Sequence, residues 1–115
     1  MSDNKPIIVI SQPMRGMSPE QVEAVREEAE KDVISMGFKP YENVYDESFS
    51  EQAVPENCKH PGILAMAGAL ERLSQADALY LAPGWSRARG CRIEYEVALS
   101  FGMAIIQADP EDDTL

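Results

Sequence analysis

The sequence predicts a three-layer, doubly wound α/β domain, in which helices cover both faces of a parallel sheet of four to five strands. Short apolar runs rich in β-branched residues alternate along the chain with segments of helical periodicity. Most connections between these segments are short, which is typical of β-α-β units. The length of 115 residues suits one domain with a hydrophobic core. We therefore expect a Rossmann- or flavodoxin-like sheet.

The first strand and the first helix carry the strongest local signals. Residues 6–10 are a continuous apolar run, as expected of a strand buried on both faces. A helix is predicted to begin after Ser18, which can cap it, because a proline follows and Gln21 completes a capping box. Gly37 is placed to end this helix. Residues 11–17 therefore form the loop that leaves the first strand.

The remaining elements continue the alternation. Short apolar runs predict strands at residues 38–41, 78–82 and 104–106, and helical periodicity predicts helices at about residues 62–75 and 90–101. Residues 42–61 are polar and lack periodicity, which is typical of a functional or mobile loop. We place the domain at residues 1–107, followed by a solvated acidic tail at residues 108–115.

Composition limits the partners and the location. The formal net charge of −10 disfavours a nucleic-acid polymer or an anionic membrane as the main partner, although a small phosphate held by local donors is compatible with it. No apolar run approaches the roughly 20 residues that span a bilayer, and none resembles a signal peptide. Cys58 and Cys91 fit a reducing compartment, so we expect a cytoplasmic protein. Cys58 and His60 lack partners at zinc spacing, so no metal site is predicted. No cofactor is predicted either.

Two loops leave the carboxyl ends of predicted strands, where open parallel sheets bind ligands. In the first, Arg15 and Gly16 precede a helix and are suited to bind an anion, or else form a tight turn with a surface arginine. The second, residues 83–94, contains Trp85 and leads to Glu94, predicted in the first turn of a helix. A carboxylate there suits a nucleophile, but acidic residues also stabilise helix starts, and position alone favours that structural role.

Several segments together resemble a family of small phage and bacterial proteins related to nucleoside 2-deoxyribosyltransferases. They are VISQPMRG at residues 9–16, ADALYL at residues 76–81, GW at residues 84–85, RGCRIE at residues 89–94 and GMAII at residues 102–106. The resemblance extends over nearly the whole chain up to Ile106. It implies cleavage or transfer at the N-glycosidic bond of a nucleoside or deoxynucleotide, and a homodimer or larger homo-oligomer.

The resemblance also implies roles for individual residues. In these enzymes the nucleophile lies eight residues before the glycine that precedes the last strand, and counting back from Gly102 gives Glu94. An aspartate at the start of the preceding strand assists at the nucleobase, and Asp77 holds that position. Arg15 corresponds to an arginine that contacts phosphate. The expected substrate-binding set is completed by Ser11, Gly16, Trp85, Ser86 and Gly90.

The implied chemistry needs two carboxyl groups. Cleavage passes through an oxocarbenium-like state that one carboxylate stabilises or traps, while an acid roughly 5 Å away protonates the leaving base. Trp85 suits stacking on that base or, equally, covering the core. Relatives usually carry a hydroxyl residue where this chain has Ala88, and Ser86 is the neighbour that can replace it. The alternative is a nucleotide-binding or sensing module that uses the same pocket without turnover.

Overall fold

The computed structural model describes residues 4–42, 55–111 and 113. The strands are β1 (Ile7–Ser11), β2 (Lys39–Pro40), β3 (Ala78–Leu81) and β4 (Ala104–Gln107), and the helices are α1 (Pro19–Ser35), α2 (Pro61–Leu73) and α3 (Arg89–Ser100), with a 3₁₀ turn at Trp85–Arg87. Each predicted element is confirmed to within about two residues at either end. Residues 43–54 of the predicted loop lie outside the described residues. No helix in the described ranges is long and apolar enough to cross a membrane.

The four strands form one parallel sheet in the order β2-β1-β3-β4. From β1 the chain passes outward to β2 and then returns to the other side of β1, where it adds β3 and β4. The direction of winding therefore reverses between β1 and β3. In doubly wound sheets this reversal separates the loops that leave the two strands and opens a crevice at the carboxyl edge.

Alternate side chains of the two central strands enter two separate cores. Ile8 and Ile10 of β1 pack in one core with Val33 of α1. Val9 packs in the other with residues of α2 and α3, among them Leu73 and Ala98. The helices thus cover both faces, which confirms the predicted three-layer α/β fold and explains the continuous apolar runs.

The start of α1 confirms the predicted capping box. The side-chain oxygen of Ser18 accepts a hydrogen bond from the backbone N–H of Gln21 at 3.2 Å, and the Gln21 side chain accepts one from the Ser18 N–H at 2.8 Å. These bonds satisfy two N–H groups that the helix itself leaves unpaired. They therefore fix the point at which the loop from β1 becomes α1.

Asp77 joins the amino ends of the two central strands. Its Oδ2 accepts a hydrogen bond from the Ile7 N–H at 2.8 Å, and its own N–H donates to the Ile7 carbonyl at 2.7 Å. The side chain is exposed. We call these two hydrogen bonds between Asp77 and Ile7 the clip; they join β1 and β3 at the edge where β1 begins.

We expect Asp77→Ala to lower the free energy of unfolding by about 0.5–1 kcal/mol, because the Ile7 N–H loses its acceptor at an exposed site that water can reach. Urea unfolding measures this change. Asp77→Asn keeps an acceptor oxygen and should recover most of the loss. Equal stability of the alanine variant and the unsubstituted protein would show that the clip contributes nothing.

Candidate functional site

Ser11 and Glu94 meet at the carboxyl edge of the sheet. Ser11 is the last residue of β1 and lies beside Leu81, the last residue of β3. Its hydroxyl donates a hydrogen bond of 3.0 Å to Oε1 of Glu94 on α3, 83 residues further along the chain. This bond places a half-buried carboxylate at the point where the winding of the sheet reverses.

The predicted position of Glu94 within its helix is wrong. Ala88 is the N-cap and α3 begins at Arg89, so Glu94 lies in the second turn, and the first turn holds no acidic residue. The helix dipole acts mainly within the first turn. Ser11, and not the helix terminus, is therefore the group that orients this carboxylate.

Opposing effects set the pKa of Glu94. Burial raises it, whereas the hydrogen bond from Ser11 and the positive charge of Arg72 lower it, and the net direction is upward. Arg72 lies near the end of α2, a helix with no other cation. The sequence analysis did not identify Arg72, because the sequence does not show which side of α2 faces α3. A lone cation in an apolar helix is the only signal that pointed to it.

Cys91 is buried and lies three residues before Glu94 on α3. Its pKa is raised to about 11, first by burial, with further upward contributions from the charges of Glu94 and Asp113, against a lowering by a hydrogen bond with Ser11. The thiol therefore stays protonated at neutral pH and is a poor nucleophile.

Trp85 belongs to the core. Its side chain is 1 % exposed, and its ring packs against Tyr95 with centroids 4.8 Å apart and planes at 36°. Its indole Nε1 has no hydrogen-bond partner within the described ranges. Of the two interpretations of Trp85, this placement matches the cover over the core. Stacking on a ligand would require the ring to move out.

The first loop reaches the second but leaves Arg15 at the surface. The Gln12 side chain donates to the Val22 carbonyl at 3.0 Å, which holds the loop against α1. Pro13 lies beside Gly84, since a Cβ there would be in ordinary contact with its ring at 3.4 Å, and the φ of 88° is what requires glycine at this turn. Arg15 and Gly16 occupy an exposed turn at the same edge.

Ser86 and Gly90 are held by contacts within the protein. The Ser86 hydroxyl donates to Oδ1 of Asp113 at 2.7 Å. A Cβ at Gly90 would lie 3.5 Å from Cε of Met66, so Gly90 faces α2. The contacts of both residues are therefore with other parts of the protein.

The structure does not bring Asp77 to Glu94. Asp77 pairs with Ile7 at the amino edge, whereas Ser11 and Glu94 meet at the carboxyl edge, where Ser11 pairs with Leu81. Four residues of strand separate the two levels, or about 13 Å at ~3.3 Å per residue. A pair of catalytic carboxyl groups requires roughly 5 Å. A residue that precedes a parallel strand lies at its amino end, and for this reason Asp77 cannot assist Glu94 within one chain.

The prediction of a solvated acidic tail is wrong for Asp113, which is buried. Asp113 is 2 % exposed and accepts hydrogen bonds from the backbone N–H groups of Gly84 at 2.9 Å and Ser86 at 3.3 Å, besides the Ser86 hydroxyl. Burial raises the pKa of Asp113, whereas these hydrogen bonds and the charge of Arg87 lower it. The lowering is the larger effect, so the pKa lies below its usual value. Asp113 thus packs against the second loop.

Two hollows on the described surface lie away from Glu94. One is lined by Ile7 and residues of β2, and the other lies between α1 and β3, where the Tyr80 hydroxyl donates to Asp32 at 2.8 Å. Neither hollow is lined by Glu94 or Ser86. The candidate site is therefore defined by its contacts and not by these hollows.

The fold and its carboxyl edge define a small doubly wound α/β domain with a half-buried glutamate oriented by the end of β1. The chain belongs to the family described as Domain of unknown function (DUF4406), whose model matches residues 7–107 and so includes all four strands. No curated protein and no solved structure matches the chain. The resemblance to nucleoside 2-deoxyribosyltransferases therefore stays a prediction.

We expect Glu94→Gln to stabilise the protein at pH 7. Because the folded state raises the pKa of Glu94, ionisation of this group opposes folding, and its stabilising effect below the unfolded pKa is lost as pH rises through the folded pKa. The glutamine carbonyl can still accept the Ser11 hydrogen bond. Urea midpoints should therefore be higher for the variant at pH 7, with a gain that shrinks toward pH 4.

Glu96→Gln is the matched control, because Glu96 is exposed on the same helix and its replacement removes the same charge. It should not reproduce the gain. Identical midpoints for the two variants at pH 7 would contradict the assignment of an unfavourable buried charge to Glu94.

Proposed function

We propose that this protein cleaves or transfers the N-glycosidic bond of a nucleoside or deoxynucleotide, with Glu94 as nucleophile. The hydrogen bond between Ser11 and Glu94 is the observation that carries the proposal. It holds one carboxylate oxygen, Oε1, at the edge where doubly wound sheets bind ligands, and we assign the other oxygen, Oε2, to the anomeric carbon. The resemblance of the motifs around Glu94 supplies the class of substrate.

The proposed reaction has two steps. First, an oxygen of Glu94 bonds to the anomeric carbon as the carbon–nitrogen bond breaks. The electron pair of the carbon–nitrogen bond passes to the base. Water or a second base then attacks the same carbon and releases the carboxylate. Ser11 and Arg72 favour the ionised form that attacks. Burial leaves the carboxylate less screened, so that it attracts the positive charge developing on the sugar more strongly.

The leaving base must gain a proton, and Asp77 lies too far away to donate it. We assign this proton to solvent water at the exposed carboxyl edge. This assignment separates the present proposal from the two-carboxylate mechanism that the resemblance implies. In that mechanism loss of the aspartate would stop the reaction, whereas here the Asp77 side chain contributes only to the clip at the amino edge.

The test is release of free base from a panel of nucleosides, deoxynucleoside 5′-monophosphates and NAD, with and without acceptor bases, followed by chromatography. We expect Glu94→Gln to slow release by about 10³-fold or more, the scale on which loss of a nucleophile acts. Asp77→Ala should retain the rate to within a few-fold. Glu96→Gln, with the same loss of charge, is the control and should match the unsubstituted protein.

A wild-type rate in Glu94→Gln would refute the nucleophile, and loss of activity in Asp77→Ala at unchanged stability would restore the two-carboxylate mechanism.

The second candidate is a nucleotide-binding module without turnover. The observation that favours it is the distance of Asp77 from Glu94, which removes the expected acid from the site. A ligand that binds only the folded state raises its thermal stability. Thermal stabilisation by one of the same nucleotides, retained in Glu94→Gln and Asp77→Ala and without release of base, would identify the binding module.

The proposal includes the expected partners and setting. The ligand is a small molecule and not a nucleic-acid polymer or a membrane, in keeping with the net charge of −10. We further propose that the protein acts in the cytoplasm and as a homodimer or larger homo-oligomer. Sedimentation equilibrium at several protein concentrations tests the oligomeric state, and a monomer throughout would contradict it.

A further inference from the structure

Much of the apolar surface of α2 lies outside the core. No charged residue occurs between His60 and Leu70. Of the described residues of this helix, Leu73 alone is buried, and Ile63 is 68 % exposed. A helix on the surface of a small domain normally turns its apolar side toward the core and its polar side toward water. The sequence of α2 therefore suits a helix that is covered on both sides, whereas the described structure covers only one.

The exposed apolar residues of α2 are neighbours on the helix surface. Residues four apart lie one above the other on adjacent turns. Two such pairs lie side by side here, Ile63 with Ala67 and Leu64 with Gly68. Three of these residues are exposed, and Gly68 is half-buried. We call the four residues the α2 face, and a contiguous apolar surface of this kind marks an interaction site.

The distribution of charge favours a second copy of this chain as the occupant of the α2 face. The formal net charge is −10, so two copies repel each other wherever their acidic surfaces meet. Six of the 17 residues of α1 are acidic, whereas the α2 face contains no acidic residue. Two copies can therefore approach through α2 without bringing carboxylates together. Its small residues, Ala67 and Gly68, let the axes of two packed helices come close.

Opposite charges stand at the two ends of α2. Lys59 lies just before the helix, and Glu71 lies in its last turn, one turn after Ala67 of the α2 face. Both side chains are exposed. When two α2 helices pack antiparallel, each lysine comes opposite Glu71 of the other copy. The same arrangement places the positive end of each helix dipole beside the negative end of the other.

We infer that the α2 face is the contact surface of a symmetric homodimer, in which α2 packs antiparallel against α2 of a second copy. Two-fold symmetry uses one surface twice, so a single apolar face supplies both sides of the contact. Lys59 and Glu71 form the same pair at both ends and select the antiparallel direction. The inference assigns a surface to the proposed homodimer and does not depend on the glycosidic reaction.

The first experiment places an acid in the α2 face. Sedimentation equilibrium gives the dimer dissociation constant of the unsubstituted protein, of Ile63→Glu and of Ile34→Glu. Ile34 is 54 % exposed on α1, so its replacement adds the same charge away from α2. We expect the dissociation constant to rise at least about tenfold in Ile63→Glu only, because a carboxylate is buried without a partner in an apolar contact.

Far-UV circular dichroism checks that both glutamate variants keep their helices. A monomer at every concentration would overturn the inference. An equal dissociation constant in all three proteins would also overturn it.

The second experiment tests the antiparallel direction by reversing charges at exposed positions, where the fold does not depend on them. Lys59→Glu and Glu71→Lys each place like charges opposite one another at both ends of the contact. Each should raise the dissociation constant about fivefold. The double variant restores opposite charges and should return to within about twofold of the unsubstituted protein. Additive weakening in the double variant would overturn the antiparallel contact.

The interface and the proposed reaction fail in different ways. A dimer that Ile63→Glu dissociates, with no release of base from any nucleoside, upholds the interface and removes the reaction. Release of base that depends on Glu94, in a protein that is monomeric throughout, upholds the reaction and removes the interface. A dimer that Ile63→Glu leaves intact upholds the proposed homodimer and removes α2 as its contact surface.

Discussion

The pairing of β1 with β3 is the constraint on which the rest of the molecule depends. The two strands lie side by side and parallel at the centre of the sheet, and nearly all their side chains are buried. Because β2 continues the sheet on one side and β4 on the other, both central strands need apolar side chains on both faces. The two cores, the site of winding reversal and the meeting of the two loops all follow from this pairing.

Because β1 and β3 are parallel, the amino and carboxyl edges of the sheet hold different side chains. At the amino edge, Asp77 ties the start of β3 to Ile7 and has no neighbour in the candidate site. At the carboxyl edge, Ser11 donates to Glu94, and Ser86 donates to Asp113. A residue's place before or after a strand decides which edge it joins. Two carboxylates that look close in sequence can therefore lie a full strand apart.

The sequence predicted the elements well because each carries a local signal. Buried strands are apolar runs, and the capping box at Ser18 and glycines such as Gly37 mark helix ends. It also predicted that Glu94 lies at the carboxyl edge, since parallel strands place every β-α loop there. The partnership of Ser11 with Glu94 follows once β1 and β3 are neighbours, but strand order is not written in any local pattern.

Other features of the site depend on contacts between distant parts of the chain. Because α3 begins at Arg89, Glu94 lies in the second turn and not in the predicted first turn. Arg72 influences Glu94 only because α2 lies beside α3. Asp113 stands in an acidic tail, where composition predicts solvation, and its burial results from three donors supplied by residues nearly 30 positions earlier. Composition and periodicity contain no information on such a return of the chain.

Trp85 makes one turn of the protein accessible to fluorescence measurement. It is the only tryptophan of the chain, and it lies between the two residues whose N–H groups hold Asp113, with its ring against Tyr95. An indole sealed in this way emits at short wavelength, and its emission responds to small changes in packing and in nearby charge. The molecule thus contains its own fluorophore at the turn that binds Asp113. Its fluorescence therefore reports the packing of that turn in solution, without a label.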